Sequence, residues 1–566
     1  MKKRAICGIC PDKCWVEVEI EDCKIVKVAP DNSNPFGRLC PRGALAHEII
    51  YSNKRILKPL IRTGERGEGK FRQTTWDEAL DLASSNFLEI KEKIAMLKII
   101  VETERYDKQF VKNWTSGFDE FSKYLKSVTL QDLSHYCGVP VDKIKQLTDL
   151  FCSTEKACYF SYTGIEYQLS AVQNCRAVHI LWALTGKLDV KGGMLINKGG
   201  LGVYPLAECR DVRRIGEREF PFFSRMLNTG QFSLTPKAVL EDDPYAVRGF
   251  YFAAASPMTT YPDKKLWEKV YQKLDFIAVN ERFMSEDAKY ADVIFPATTY
   301  YENASVVNTP AGPAIREKVI DPVGESKNDL HILKALAEKM GFGDAYPEED
   351  DESTLLWMLD GDSEMLANLR SGKRTPVREY ESKKWESGHL RADGKPGFPT
   401  PTGKFEISST YIKECGYVGY PVYKDIRSVY ELGDSENYPM MMTTGARSRV
   451  RFASFGPNIP EIAKIEPAPL VDIGKTDAMS LNIAQGDWAQ VETVFGKKAF
   501  RANVCEMMSG CIHVPFGGGS SFMPDAWETG NINEICSLDF HDELSGFLLY
   551  KSMPCKVSKA QGADLQ

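Results

Sequence analysis

Cys7, Cys10 and Cys14 follow one another as C-x2-C-x3-C, and Cys40 comes later, directly before Pro41. Thiols spaced this tightly bring three sulfurs together, and a distant fourth can close a site around one soft metal centre. Structural zinc is the first competitor, but zinc sites usually pair two short C-x2-4-C knuckles. Three ligands from one stretch and a fourth standing alone favour a [4Fe–4S] cluster. A fifth cysteine, Cys23, stands in "CWVEVEIEDCKIVKV", whose alternation on both sides predicts a hairpin turning at Glu21–Cys23. A cysteine at such a turn points to solvent, so Cys23 is read as a bystander. Arg42, two residues beyond the last ligand, is either an ordinary surface arginine or a cation beside the cluster that links it to a second redox centre.

The chain that must position these groups has 566 residues, too many for one ordinary core, so three or four domains are expected. Its hydrophobic share of 43% and charged share of 26% are those of a globular protein. A net charge of −7 argues against a nucleic-acid surface. No apolar run is long enough to span a membrane, and the basic start "MKKRAICGIC" lacks the apolar stretch of a signal peptide and a twin-arginine leader. The cytoplasm is the expected compartment. Fifteen cysteines there predict buried thiols and a few ligands rather than a disulfide framework.

The segments "CGICPDKCWVEVEI", "GRLCPRGALAHEIIYSNKRILKPLIRTGERGEGKFRQTTWDEAL", "NCRAVHILWALTGKLDVKGGM", "ADVIFPATTYYENASVVNTPAG", "YPMMMTTGARSRVRFASFGPNIPE" and "SLDFHDELSGFLLYKSMPCKV" run in one collinear order. Together they resemble the molybdopterin oxidoreductases, the dimethyl-sulfoxide-reductase superfamily of bis-molybdopterin-guanine-dinucleotide enzymes, over nearly the whole chain. The resemblance implies an α/β multidomain fold. A small β-rich iron–sulfur domain would occupy residues 1–60, and an α/β pterin-dinucleotide domain 61–94 and 236–436. A truncated Rossmann-like domain would take 95–235, and a dinucleotide-binding β-barrel 437–566. The resemblance also implies a [4Fe–4S] cluster on Cys7, Cys10, Cys14 and Cys40, with Arg42 as electron relay between cluster and pterin. Molybdenum or tungsten on two pterin dinucleotides, a small-molecule substrate, and an iron–sulfur subunit or ferredoxin as electron partner complete the set.

One departure stands out. "DEALDLASSNFLEIKEKIAMLKIIVETERYDKQF" carries no Gly, Pro or capping break. In the family two helices here are separated by a large segment with several strands and the protein ligand to the metal. That segment is missing, with the seam near Ile94–Met96, and no residue matches the metal ligand. Helices left without those strands are expected to expose apolar faces. Two functional readings stay open at this point, an oxidoreductase subunit and a catalytically inactive electron-transfer or scaffold subunit. Cys137, Cys152, Cys158 and Cys175 read as core or surface thiols, and His135 and His179 as helix residues.

Further along, "RGFYFAAASP", "DFIAVNERF" and "ADVIFPAT" are short apolar runs alternating with helical segments, which implies a parallel sheet. Ligands sit beyond the carboxyl ends of such strands. Ser256, Glu281 and Ser285 are at those ends, where the resemblance places one guanine dinucleotide, although this chain has Ser256-Pro257 where Asn-Pro is common. Ser326–Asp329 is expected to cap a helix with Leu330, Leu333, Ala337 and Met340 on one face. Residues 351–436, charged and rich in Gly and Pro near "RADGKPGFPTPTGKFEISS", read as a connecting region with a short strand and without chemistry. In the strand-rich remainder, "DWAQVETVFGKKAFRANVCE" predicts a hairpin around a Phe-Gly turn. Thr444 and Gly445 would let backbone amides approach a pyrophosphate, and Arg447 could fork a phosphate. "HVPFGGGSSF", beginning at His513, offers glycines that bend close to a ligand, and Asn531 and Asn533 offer amides to read a pterin or guanine edge.

Overall fold

The computed structural model describes residues 2–6, 15–21, 24–30, 60–62, 71–73, 92–159, 163–196, 213–309, 312–371, 380–430, 437–444, 463–464 and 466–560. Strands β1 (Lys2–Ile6), β2 (Trp15–Glu21) and β3 (Lys24–Pro30) form an antiparallel sheet in that order. Ile6 pairs with Trp15, so Cys7, Cys10 and Cys14 fall in the connection between two paired strand ends. Glu21 pairs with Lys24, which is the expected hairpin with Cys23 in its turn segment. A small antiparallel pair follows, β4 (Leu60–Arg62) with β5 (Phe71–Gln73).

The next body is helical. Every side chain from Ile94 to Val101 on the helix Glu92–Glu102 is buried, Lys98 included, and the Lys98 ammonium donates to the Leu125 carbonyl at 3.1 Å. Helices Phe118–Ser127, Leu130–Cys137, Val141–Ser153 and Ala171–Leu184 pack around it. A helix apolar on all sides belongs in a core. For the described helix at the seam the expectation of an exposed apolar face does not hold, because it is wrapped by the others; on those neighbours Tyr136 and Leu150 are exposed. Nor does the unbroken pattern give one long helix. Glu104 turns with φ +53°, and Asp107 accepts the Phe110 amide at 2.9 Å to cap a new helix, Lys108–Trp114.

Strand β6 (Thr115–Ser116) then pairs in parallel with β12 (Phe405–Glu406) far along the chain. The short strand expected within 351–436 is therefore present, but the segment around it is more than a connection. Residues 380–430 belong to the helical body: Trp385, Phe398 and Phe405 pack on Phe110, and Ile407 is fully buried with the helices. Arg176 locks them down, donating to Gly419 O at 2.6 Å, Glu406 O at 2.8 Å and Ile407 O at 2.9 Å.

Strands β7 (Gly249–Ala253), β8 (Phe276–Glu281) and β9 (Val293–Pro296) form the expected parallel sheet. Helix Lys264–Lys273 covers one face through Trp267, Val270 and Tyr271 against Ile277 and Val279. Between β8 and β9 there is only a short turn, Ala288–Tyr290, instead of a full crossover helix. The hairpin β10 (Ser305–Thr309) with β11 (Gly312–Arg316) lies under helices Asp351–Met358 and Ser363–Arg370. Helix Asp329–Lys339 is capped by Asn328, which accepts Leu330 N at 3.1 Å, and not by Ser326. Its buried residues are Ile332, Lys334 and Ala337; of the expected face Ala337 is buried, Leu330 and Leu333 are half-buried and Met340 is exposed.

The last body is a closed barrel of β13 (Met440–Thr443), β14 (Leu470–Gly474), β15 (Trp488–Thr493), β16 (Gly496–Cys505), β17 (Cys511–His513) and β18 (Met553–Lys559), in the order β13-β17-β14-β16-β15-β18. Val471, Ile473, Val491, Phe500 and Ile512 fill it. Closure removes the unpaired edges that open sheets must protect. Among the described residues no helix is long and apolar enough to cross a membrane.

Candidate functional site

Two seams against the barrel gather the candidate residues. The first lies at the carboxyl ends of β7–β9. Ser256 opens the short turn Pro257–Thr260, and its carbonyl accepts Thr260 N at 3.0 Å, with no capping bond from its side chain. Glu281 Oε1 accepts Arg282 N at 2.9 Å, and Ser285 Oγ accepts Ala288 N at 3.2 Å. All three thus lie at or just beyond the carboxyl ends of β7 and β8.

Their neighbours tie this edge to the barrel. Asn531 Nδ2 donates to Met258 O at 3.3 Å and Asn533 Nδ2 to Thr259 O at 3.1 Å. These amide N–H groups clamp the Ser256 turn instead of standing free to read a ring edge. Asn533 Oδ1 alone is left buried without a partner. Glu286 accepts Ser521 N at 2.9 Å and Ser521 Oγ at 3.0 Å, and Lys264 donates to Gly519 O at 2.9 Å. The glycine run is explained by the same packing. A Cβ on Gly518 would lie 2.5 Å from Gly530 O, and one on Gly519, at φ +98°, would lie 2.6 Å from Asn531 Nδ2. The glycines of "HVPFGGGSSF" therefore allow two barrel loops to touch.

Asp287 is the centre of this seam that sequence reasoning missed. Its Oδ1 accepts Met258 N at 3.1 Å and the Tyr271 hydroxyl at 2.6 Å, and its Oδ2 is buried without a partner. Burial pushes the carboxyl up to about 6. Its only sequence signal is an acidic pair, Glu286-Asp287, in a strand-end segment.

The second seam lies between the barrel and the helical body. Thr444 follows β13; its N–H donates to Tyr550 O at 2.9 Å, and its carbonyl accepts from Lys551 Nζ. Lys551 N donates to Tyr167 O at 3.1 Å on the helical side. Both side chains are buried, and Thr444 Oγ1 has no partner. Burial pushes the Lys551 ammonium down to about 8. Beside them is a cleft lined by Gln168, Ser170 and Asn174 from the helices, by Lys424 and Ile426 from the end of the 380–430 segment, where Ile426 packs on the barrel core, and by Ser552 from the barrel. Ser170 (φ +59°) and Ser552 (φ +69°) both hold left-handed backbone there, which costs on the order of 1 kcal/mol each and persists only when neighbours enforce it. His513, opposite Thr443 on β17, places Nδ1 3.1 Å from Asp472 Oδ2. Lys551 also escaped the sequence reading, although a lysine inside "GFLLYKSMPCKV" was a signal.

Cys7, Cys10, Cys14, Cys23, Cys40, Arg42, Gly445 and Arg447 lie outside the described residues. Among the described residues no group of three His, Cys, Asp or Glu side chains could hold a metal. Cys137, Cys152, Cys158 and Cys175 form no disulfide and lie on or near helices. Four thiol ligands in the spacing of the N-terminal set suit an iron–sulfur cluster. In the first seam Asn533 Oδ1 and Asp287 Oδ2 are buried acceptors without a partner, and in the second Thr444 Oγ1 is a buried hydroxyl without one.

Comparison with known proteins gives matches along the chain. The family model for molybdopterin oxidoreductase matches residues 55–160 and 163–339, that for the molybdopterin oxidoreductase Fe4S4 domain residues 1–52, and that for the molybdopterin dinucleotide binding domain residues 440–554. The alpha subunit of a formate dehydrogenase from Methanocaldococcus jannaschii is 22% identical over 701 positions, covering 94% of this chain and 97% of that protein. Those 701 positions exceed the 566 residues here, so the relative carries sequence without a counterpart in this chain. A thiosulfate reductase molybdopterin-containing subunit from Salmonella typhimurium is 24% identical over 73% of this chain, which spans 58% of that protein. The solved structure of acetylene hydratase from Pelobacter acetylenicus superposes with a TM-score of 0.73 at 18% identity, over 99% of this chain and 100% of that one.

Proposed function

This chain belongs to the molybdopterin oxidoreductase family, and on that premise we propose that it carries out a two-electron conversion of a small molecule in the cytoplasm, passing electrons to an iron–sulfur subunit or ferredoxin. Its Fe4S4 and dinucleotide-binding domains bring a [4Fe–4S] cluster and a bis-molybdopterin guanine dinucleotide with molybdenum or tungsten. The bound metal supplies the centre at which two electrons are exchanged. The chain's own residues hold and insulate it. Cys7, Cys10, Cys14 and Cys40 ligate the cluster, and Arg42 relays electrons between cluster and pterin. Ser256, Glu281 and Ser285 meet one dinucleotide at the sheet edge, while Thr444, Gly445, Arg447 and His513 meet the other at the barrel mouth. Asn531 and Asn533 keep the Ser256 turn against the barrel through their bonds to Met258 and Thr259, so their contribution to the ligand is to hold its wall in place.

The observation that carries this reading is the pairing of an Fe4S4 domain at one end with a dinucleotide-binding barrel at the other. A catalytically inactive scaffold would have no use for the second of these. Metal analysis of anaerobically purified protein tests it. About four Fe per chain together with pterin and Mo or W is the expected result. Iron without pterin would return the chain to an electron-transfer role, and zinc alone would refute both. Arg42→Ala should keep its iron and slow reduction of the centre beyond the cluster, as followed by stopped-flow absorbance. Loss of iron would make Arg42 structural.

A further inference from the structure

The cleft at the second seam takes its walls from the helices, the 380–430 segment and the barrel, and it holds about 50 Å³. That is room for about four waters, hence for a molecule of about four non-hydrogen atoms, well short of a pterin or a guanine. Ile94, Leu133, Leu169 and Ile426 give it apolar surface. Tyr136 and Tyr423 add an aromatic wall, their rings stacked with centroids 4.1 Å apart. Ser170 is only 6% exposed, and although it stands at the start of helix Ala171–Leu184 its hydroxyl makes no capping bond. A serine there normally caps. Ser552, on the barrel wall, is left-handed like Ser170, and neither hydroxyl has a bond among the described residues. Asn174 Nδ2 donates to Leu169 O at 3.0 Å and Gln168 Nε2 donates to Gly164 O, so each amide is anchored through its nitrogen and keeps its oxygen as a spare acceptor. The Lys424 ammonium pairs with Glu543, and burial pushes the Tyr423 phenol up to about 12, which keeps it neutral at pH 7.

We propose that this cleft is a binding site for a small uncharged molecule carrying a carbonyl oxygen and an N–H group, of which a carboxamide is the simplest. The Ser170 and Ser552 hydroxyls donate to the carbonyl oxygen, the Asn174 and Gln168 oxygens accept the N–H, and the alkyl part rests on Ile94, Leu133 and Leu169. The same groups reject charged molecules of equal shape. A carboxylate would meet two amide oxygens that cannot donate to it, and the one lysine of the lining is already balanced by Glu543. A cation would meet no carboxylate in the lining and would stand near Lys424. Burying an unpaired charge costs far more than burying an amide whose bonds are made. Left-handed serines on two walls fit this role, since such backbone persists where a ligand clamp is held in place by its surroundings. The proposal goes beyond the family reading and does not depend on it, because no cluster or pterin group takes part.

Acetamide, acetate and acetamidinium test it, because they share one planar frame and a methyl group and differ in charge. Saturation transfer from purified full-length protein to each methyl signal is read at pH 7, a measurement suited to the weak binding of so small a ligand. Acetamide should show the transfer, with acetate and acetamidinium lower by about fivefold or more at equal concentration, the loss that one misplaced hydrogen bond produces. Ser170→Gly should melt no lower than wild type, because glycine adopts left-handed backbone freely, and yet lose about fivefold in acetamide transfer with the hydroxyl gone. Asn174→Leu, which puts an apolar group of similar size in place of the accepting amide, should abolish the transfer. Ser170→Gly decides the matter even if the leucine variant fails to fold. Transfer to acetate or acetamidinium equal to that of acetamide would overturn the proposal. So would an unchanged acetamide signal in folded Ser170→Gly, or no acetamide signal in wild type. Metal and pterin content judge the family reading separately, so either can fail without the other.

Discussion

Asp287 carries the most testable electrostatics at the scale of a single residue. It is sealed between Met258 N and the Tyr271 hydroxyl, and burial raises its carboxyl to about 6. A raised acid favours the protonated fold. Its contribution to stability is complete below the unfolded carboxyl value near 4 and is lost as pH climbs through about 6. The protein should therefore melt lower at pH 8 than this group alone would allow at pH 5. Asp287→Asn should flatten that dependence and stabilise the fold at pH 8 by up to about 3 kcal/mol. Thermal melts across pH 5–8 check both, and an Asp287→Asn protein with an unchanged slope would remove Asp287 from the account. A strand-end location was legible for Ser256, Glu281 and Ser285 from the apolar runs before them. The Asp287 bonds were not, because they depend on where Tyr271 and the Pro257 turn arrive in space. Asn531 and Asn533 were singled out as ring-edge readers, but their N–H donors are occupied by the Met258 and Thr259 carbonyls.

Arg176 decides how the helical body is assembled from distant pieces of sequence. Its guanidinium satisfies the carbonyls of Glu406, Ile407 and Gly419 across a span no local pattern reveals. Arg176→Met would leave buried carbonyls unpaired and should cost on the order of 2–4 kcal/mol in urea unfolding. Arg176→Lys should not restore it, since a point charge cannot fork to three acceptors. A loss under about 0.5 kcal/mol would show that residues 380–430 are held by their aromatic anchors alone. Strands, hairpins and the barrel hairpin of β15 with β16 were legible because alternation is a local signal. The 380–430 segment was misread because Trp385, Phe398, Phe405 and Ile407 are sparse anchors among Gly, Pro and charged residues. The break at Thr103–Asp107 was hidden in a helical pattern, although Asp107 is a regular N-cap residue.

For the whole molecule, the seam near Ile94 sets the limits of what sequence could say. A relative aligned over more positions than this chain has residues is consistent with a segment missing from a family domain. Reading the remnant as an exposed helix layer followed from subtracting strands and leaving helices where they stood. The helices instead close around Ile94–Val101, so the body has a core of its own. The barrel and the parallel sheet keep their seam, and the N-terminal sheet brings the segment with Cys7, Cys10 and Cys14 between paired strand ends. The claim that these thiols, with Cys40, grip one cubane of iron is tested most directly by electron paramagnetic resonance on oxygen-free protein before and after chemical reduction. A signal that appears on reduction and vanishes in Cys14→Ser, but survives in Cys23→Ser, is the predicted result. A protein that stays silent on reduction and carries zinc would contradict it.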